Sequence, residues 1–141
     1  MPQNEDNPQL EDGYTRVANE LLEAIIAFPF TNRQLKMVLA LIRLTYGYNQ
    51  KVARVSKSYL ARITGLHLPH VGQTLRELER MNVLITRDGK MGINKRYGTW
   101  VPIRSRTARS DEAPSPREVI REIRQRLRWQ QPAPRAPSPA P

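Results

Sequence analysis

The stretch SKSYLARITGLHLPHVGQTLRELERM, Ser56 to Met81, holds two helical patterns separated by a glycine. Ser56 or Lys57 opens a short helix carrying Leu60, Ala61 and Ile63, and Thr64-Gly65-Leu66 forms a tight turn. A longer helix then runs from about His67 to Met81, burying Val71, Leu75 and Leu78. Two short helices joined by a glycine-containing turn make a helix-turn-helix, whose second helix is the one expected in a DNA major groove. After Asn82 the apolar period changes from 3.6 to 2. Val83 to Arg87 predicts a strand, Asp88-Gly89-Lys90-Met91-Gly92 a glycine-rich loop, and Lys95 to Val101 a returning strand. A β-hairpin straight after a recognition helix is a wing.

Upstream, Val17, Leu21, Leu22 and Ile25 recur at helical spacing until Pro29 stops the helix. Thr31 is a good N-cap, and Gln34 three residues on completes a capping box. The stripe Leu35, Val38, Leu39, Leu41, Ile42 and Tyr46 follows, ended by Gly47, and Val52 to Val55 is β-prone. The order helix, helix, strand, helix, turn, helix, hairpin predicts a mainly α fold with a small β-hairpin: a winged helix-turn-helix spanning residues 13–103. Residues 1–12 read as a disordered acidic N-terminus and residues 104–141 as a Pro/Arg-rich tail, with 7 of the 12 prolines beyond residue 103.

The formal charge is +10. Residues 1–12 carry −4, while residues 13–102 hold 14 basic and 5 acidic side chains and residues 103–141 add a further +5. The segment that folds is therefore itself basic, which favours a polyanion as partner, nucleic acid before an anionic membrane. The absence of cysteine excludes disulfides, Cys-ligated zinc, iron–sulfur clusters and thiol catalysis. No apolar run approaches the roughly 18 residues of a membrane span, and an acidic N-terminus is wrong for a signal peptide. A cytoplasmic protein without cofactor or membrane partner is the expectation.

On the second helix, His67, His70, Gln73 and Thr74 lie on or near the outward N-terminal half, where base edges are met. Glutamine pairs bidentately with adenine, and neutral histidine donates or accepts at a base edge. Ser56, Lys57, Arg76 and Arg80 around the helix pair, and Arg87, Lys90, Lys95 and Arg96 around the hairpin, are candidates for phosphate contact. The plainer alternative for each is a solvated position on an amphipathic helix or loop. Gly72 costs roughly 1 kcal/mol against alanine in a helix interior, offset by close approach to a phosphate or another helix, or by nothing. Tyr46, Tyr48, Tyr59, Tyr97 and Trp100 read as core and wing packing in preference to base stacking. Two histidines without a third ligand do not define a metal site. The pairs Glu20/Glu23 and Glu77/Glu79 have no second motif to make them catalytic, and no phosphate loop or nucleophile motif is present. The chain is not expected to be an enzyme.

Gly13-Tyr14-Thr15-Arg16-Val17-Ala18-Asn19-Glu20-Leu21-Leu22-Glu23-Ala24 resembles the opening of the N-terminal domain of the lambda-type bacteriophage replication protein O family. Ile42-Arg43-Leu44-Thr45-Tyr46-Gly47-Tyr48-Asn49 is similar to the same family, as are Thr64-Gly65, Pro69-His70-Val71, Leu75-Arg76-Glu77-Leu78, Gly92-Ile93-Asn94-Lys95 and Trp100. The resemblance covers about residues 13–101, and Thr45-Tyr46-Gly47 is its most specific part. It implies an origin-binding initiator that binds repeated sites in duplex DNA, often as a dimer, and helps deliver a replicative helicase. Leu68 and Gln73 stand where members of the family often carry basic residues, and about 40 residues of tail replace its larger C-terminal region.

Within the tail, Ser115-Pro116-Arg117-Glu118 combines a capping box with proline at the first helical position. Val119, Ile120, Ile123 and Leu127 form a stripe flanked by arginines, predicting an amphipathic helix near 116–129. This stripe either docks on a partner, a helicase loader or a second copy of the chain, or packs back on its own domain. A membrane-surface helix is a third, weaker reading. Two functions compete with the initiator: a phage transcriptional repressor on the same scaffold, and a winged-helix adaptor for protein in replisome assembly. The basic charge argues against the adaptor.

Overall fold

The computed structural model describes residues 6–103 and 116–130, the side chains of 116 and 128–130 excepted. The expectations for residues 1–5, for 104–115 with the Ser115 cap, and for 131–141 lie outside them. The structure is mainly helical, with one two-stranded antiparallel hairpin. Its elements are α1 (Asn19–Ala27), α2 (Asn32–Thr45), α3 (Lys57–Thr64), α4 (Leu68–Arg80), β1 (Leu84–Arg87), β2 (Lys90–Ile93) and α5 (Pro116–Gln130). Short 3-10 turns occur at Leu10–Asp12, Tyr46–Tyr48 and Tyr97–Thr99.

Local chemistry sets the boundaries. The Thr31 hydroxyl accepts from the Gln34 N–H at 3.2 Å while the Gln34 side chain accepts from the Thr31 N–H at 3.0 Å, closing the capping box that starts α2. Ser56 caps α3 by accepting from the Tyr59 N–H at 3.1 Å. Gly65 ends it in the left-handed region at φ 73°. Thr64, buried in the turn, satisfies its hydroxyl on the Leu60 carbonyl at 2.6 Å. The chain then enters α4 through His67, with Pro69 in the first turn, where its missing N–H costs nothing.

Helices α2, α3 and α4 pack pairwise, and α2 also lies against β2. Met37, Val38, Leu41, Leu60, Val71, Leu78 and Val83 at their centre are fully buried. Side chains of that size each contribute on the order of 1.5–3 kcal/mol when withdrawn from water. Phe28 and Trp100 meet edge to face, ring centroids 5.5 Å apart, and tie the end of α1 to the chain leaving the hairpin.

The hairpin differs from the sequence expectation in one respect. Its connection is only Asp88-Gly89, with φ of 51° and 78°, so the return strand begins at Lys90 and not at Lys95. Two successive positive φ angles in an Asp-Gly pair suit a two-residue hairpin turn, whose twist matches that of the strands. Gly92, expected in the loop, lies within β2, where a Cβ would run into the Lys51 carbonyl oxygen. That close approach lets Ala53 pair with Met91 through two 2.9 Å hydrogen bonds, the form taken by the expected β-prone stretch. Residues 95–101 cannot extend the strand because Asn94 closes a local turn. Its side chain accepts from the Arg96 N–H at 3.1 Å and donates to the Thr99 hydroxyl at 2.9 Å.

Helix α5 forms where expected and packs against α1. Ile120 joins the core, Val119 and Ile123 are half-buried, and Leu127 is exposed. Arg124 reaches back to Glu20 at 3.6 Å and Glu23 at 3.5 Å. Of the two destinations left open for this stripe, the structure shows the second, so Ile120 is corrected from a partner contact to a core residue. Among the described residues no helix is long and apolar enough to cross a membrane.

Candidate nucleic-acid interface

Burial on α4 falls on Val71, Gly72, Thr74, Leu75 and Leu78, a stripe at positions i, i+1, i+3, i+4 and i+7. Thr74 is therefore corrected: it is 2% exposed and its hydroxyl donates to the His70 carbonyl at 2.7 Å, leaving nothing to offer a base. A threonine is tolerated on a buried stripe when its own helix accepts the hydroxyl proton. Away from this stripe Gln73 is exposed and His70 half-buried, and His67, which precedes the helix, is exposed. The two imidazoles meet edge to face at 5.8 Å. Gln73 donates to one oxygen of Glu77 at 3.2 Å, and the buried Gln34 of α2 donates to the other at 2.9 Å. The carboxylate is thus held beside the α2 start, and Gln73 must leave it to meet any base.

The α3–α4 groove concentrates positive charge. A Cβ placed on Gly72 would lie 3.5 Å from Nη1 of Arg76 and 3.9 Å from Nζ of Lys57. Two cations from different helices thus converge over one patch of bare backbone, the start of α3 beside the middle of α4. The contacts are ordinary van der Waals distances, so helix–helix approach does not demand this glycine. Bringing two like charges together is unfavourable in the free protein and is relieved by an anion seated between them.

The structure divides the remaining candidates. Arg87 and Lys90 are opposite one another across the hairpin turn and exposed. Arg54, which the sequence reading did not single out, donates to the Asp88 carbonyl at 3.3 Å and joins them at the tip. Only the long-range pairing of Ala53 with Met91 brings it there, so no local pattern signals it. Arg80 is exposed in the last turn of α4. Lys95 and Arg96 sit apart, beyond β2. The Lys95 ammonium stands 5.3 Å from the centroid of the Tyr46 ring, in a separate cleft of about 470 Å³ that Arg16, Glu20 and Lys51 also line. Burial pushes the Tyr46 hydroxyl above its ordinary value. Trp100 and the partly buried Tyr46 and Tyr97 pack against the core as expected, whereas Tyr48 and Tyr59 do not: they are 62% and 48% exposed. Among the described residues no group of three or more His, Cys, Asp or Glu side chains is arranged to hold a metal ion.

These features define a small, basic, mainly helical protein with an exposed helix followed by a charged hairpin. The description of bacteriophage replication protein O matches residues 7–100, and the chain belongs to that family. It is 41% identical over 91 residues to replication protein O of Escherichia phage lambda, covering 64% of this chain and 27% of that protein. It is 40% identical over 92 residues to DNA replication protein gp18 of Salmonella phage P22, covering 65% and 34%. To replication protein 15 of Enterobacteria phage phi80 it is 35% identical over 104 residues, covering 71% and 34%. The chain thus spans about a quarter to a third of the length of these relatives. No solved structure matches it.

Proposed function

We propose that residues 13–103 form a winged helix-turn-helix that binds specific sites in double-stranded DNA, at a phage replication origin, to initiate replication. The convergence of Lys57 and Arg76 over Gly72 carries this reading, since it prepares an anion seat directly beside the exposed face of α4. The hairpin supports it: β1 follows α4 directly and pairs with β2, and the single bridge from Ala53 to Met91 ties the segment before α3 to that hairpin. Membership of a phage replication family supplies the setting.

In this arrangement α4 lies in the major groove, with His67, His70 and Gln73 toward base edges. Lys57 and Arg76 hold one phosphate, Ser56 and the start of α3 lie beside it, and Arg80 follows the strand. Arg54, Arg87 and Lys90 at the hairpin tip take the flanking backbone. Helicase recruitment and pairing of two copies belong to the same proposal and fall to surfaces outside the duplex site.

The test is fluorescence anisotropy of the chain against duplexes covering its own gene and flanking regions, with scrambled duplexes as control, across a salt series. Specific binding at least about 10³-fold tighter than to scrambled DNA supports the reading. Lys57→Ala should weaken every duplex alike and reduce the slope of log affinity against log salt by about 1, while Gln73→Ala should relax discrimination at one base pair. Equal, steeply salt-dependent binding to both duplexes would reduce the site to a basic surface. A specific site in a promoter and not an origin would make the protein a repressor.

A further inference from the structure

Tyr48 and Tyr59 belong to different elements, the turn ending α2 and the first turn of α3, yet both line one cleft of about 720 Å³. Leu44 and Val55 supply its apolar wall, and Arg54 and Gln50 its polar rim. An exposed tyrosine on its own means little, because folded proteins leave much apolar surface in water. Two facing one cleft, between arginines, are a different matter. The Arg43 guanidinium stands 5.6 Å from the centroid of the Tyr48 ring, within cation–π range. Arg54 lines the cleft and donates to the Asp88 carbonyl at the hairpin tip. No carboxylate lines the cleft among the described residues.

We propose that this cleft takes an unstacked base of single-stranded nucleic acid, with Tyr48 and Tyr59 as stacking surfaces and Arg43 and Arg54 beside the strand. The chemistry is that of a stacking platform in a positive groove: every base has a π-face, and the phosphates that accompany it need cations without competing acids. A duplex keeps its bases stacked and cannot offer a face to a tyrosine, so the occupant is single-stranded. An apolar peptide is a poorer match, because Gln50, Arg54 and Ser56 interrupt the lining. The cleft uses neither Lys57 nor Arg76; it shares Arg54 and Ser56 with the duplex reading, and the two tyrosines belong to it alone.

The experiment uses the full chain and a fluorescein-labelled thymidine oligonucleotide of about 12 nucleotides, inside the range of ~4–16 typical of single-strand sites. The double variant Tyr48→Ala/Tyr59→Ala should bind it about tenfold or more weaker, as loss of a base–aromatic stack predicts. Tyr48→Phe and Tyr59→Phe should retain binding, and duplex affinity should be unchanged by any of them. In wild type, photo-crosslinking of a bromodeoxyuridine oligonucleotide should map to the peptide containing Tyr48 or Tyr59, a readout that does not depend on the variants folding. The proposal is overturned if the wild type does not bind the oligonucleotide, or if the double variant binds as tightly as wild type. Equal loss of oligonucleotide and duplex affinity, or crosslinks confined to α4, would likewise overturn it, by assigning the tyrosines or the strand to the duplex surface.

Discussion

Helix α4 has 13 residues and α5 has 15, and both are amphipathic, but they are held to the protein by different forces. On α4, Val71, Thr74, Leu75 and Leu78 are buried, with α2 and α3 packed against it. On α5, among the described side chains, Ile120 alone is fully withdrawn into the core, Val119 and Ile123 are half-buried, and Arg124 reaches Glu20 and Glu23 of α1. Arg124 and Glu20 are each more than half exposed, and an exposed ion pair contributes about 0–1 kcal/mol because water and salt screen it, while the second partner, Glu23, is only 11% exposed and less screened. An amphipathic pattern therefore establishes that a segment is a helix with two faces. The number of side chains it buries decides whether it is integral to the fold or a separable attachment.

The largest effect should come from the α4 side. Leu78→Ala removes a fully buried side chain at the centre of the helix stack and should cost about 2–5 kcal/mol in urea unfolding, moving the whole cooperative transition to lower urea. Ile120→Ala removes a side chain that is nearly as well buried, yet its cost is limited to the free energy that docks α5. It should fall well below the Leu78→Ala value, and hydrogen exchange should speed up in α5 and the facing side of α1 while α4 keeps its protection. Equal costs for the two substitutions would break the comparison and make α5 part of one cooperative unit.

The same contrast explains what was legible from sequence. Wherever a local rule decides, the elements fall where the residues put them: the Thr31–Gln34 box, the Ser56 cap, the Gly65 stop. What depends on distant partners was not legible. The return strand starts at Lys90 because residues 51–53 come alongside Gly92, and nothing within the hairpin announces that. Thr74 is expected on the outward N-terminal half of α4, although the spacing from Val71 to Leu78 puts it on the buried stripe. For α5 the stripe itself was visible, but its two fates differ only in whether an acidic pair waits on α1, and Glu20/Glu23 read as surface carboxylates. Of the candidate site, His67 and Gln73 are exposed and Arg87 and Lys90 stand at the hairpin tip, whereas Lys95 and Arg96, expected around the same loop, sit apart. Arg54 and the convergence on Gly72 needed the fold.

A smaller effect isolates the electrostatic half of the α5 attachment. Arg124→Ala should cost about 1–3 kcal/mol, because it leaves the nearly buried Glu23 carboxylate without its ion-pair partner, and the share owed to the exposed Glu20 pair should fall as salt is raised. Measured in a urea series at low and high salt, a salt-independent loss would mean that the arginine stem, packed against α1, matters more than its charge.

The smallest effect concerns Glu20 from its other side. The Tyr97 hydroxyl donates to Oε1 of Glu20 at 2.5 Å, and this bond, ahead of desolvation and the carboxylate's charge, raises the Tyr97 hydroxyl above the ordinary tyrosine value of 10.0. A group whose folded value is raised contributes stability that is complete below its unfolded value and is lost as pH rises through the folded one. Wild type should therefore lose stability above about pH 10 relative to its neutral value. Tyr46, also raised, adds a loss of the same sign. Tyr97→Phe removes only the first contribution, so the quantity to follow is the difference between the two proteins, in which Tyr46 cancels. Wild type should be the more stable at neutral pH, and that advantage should shrink as the pH climbs past 10, where a phenolate can no longer donate to Glu20. An advantage that stays constant with pH would show that Tyr97 supports the α1–α5 junction through its ring and not through its proton.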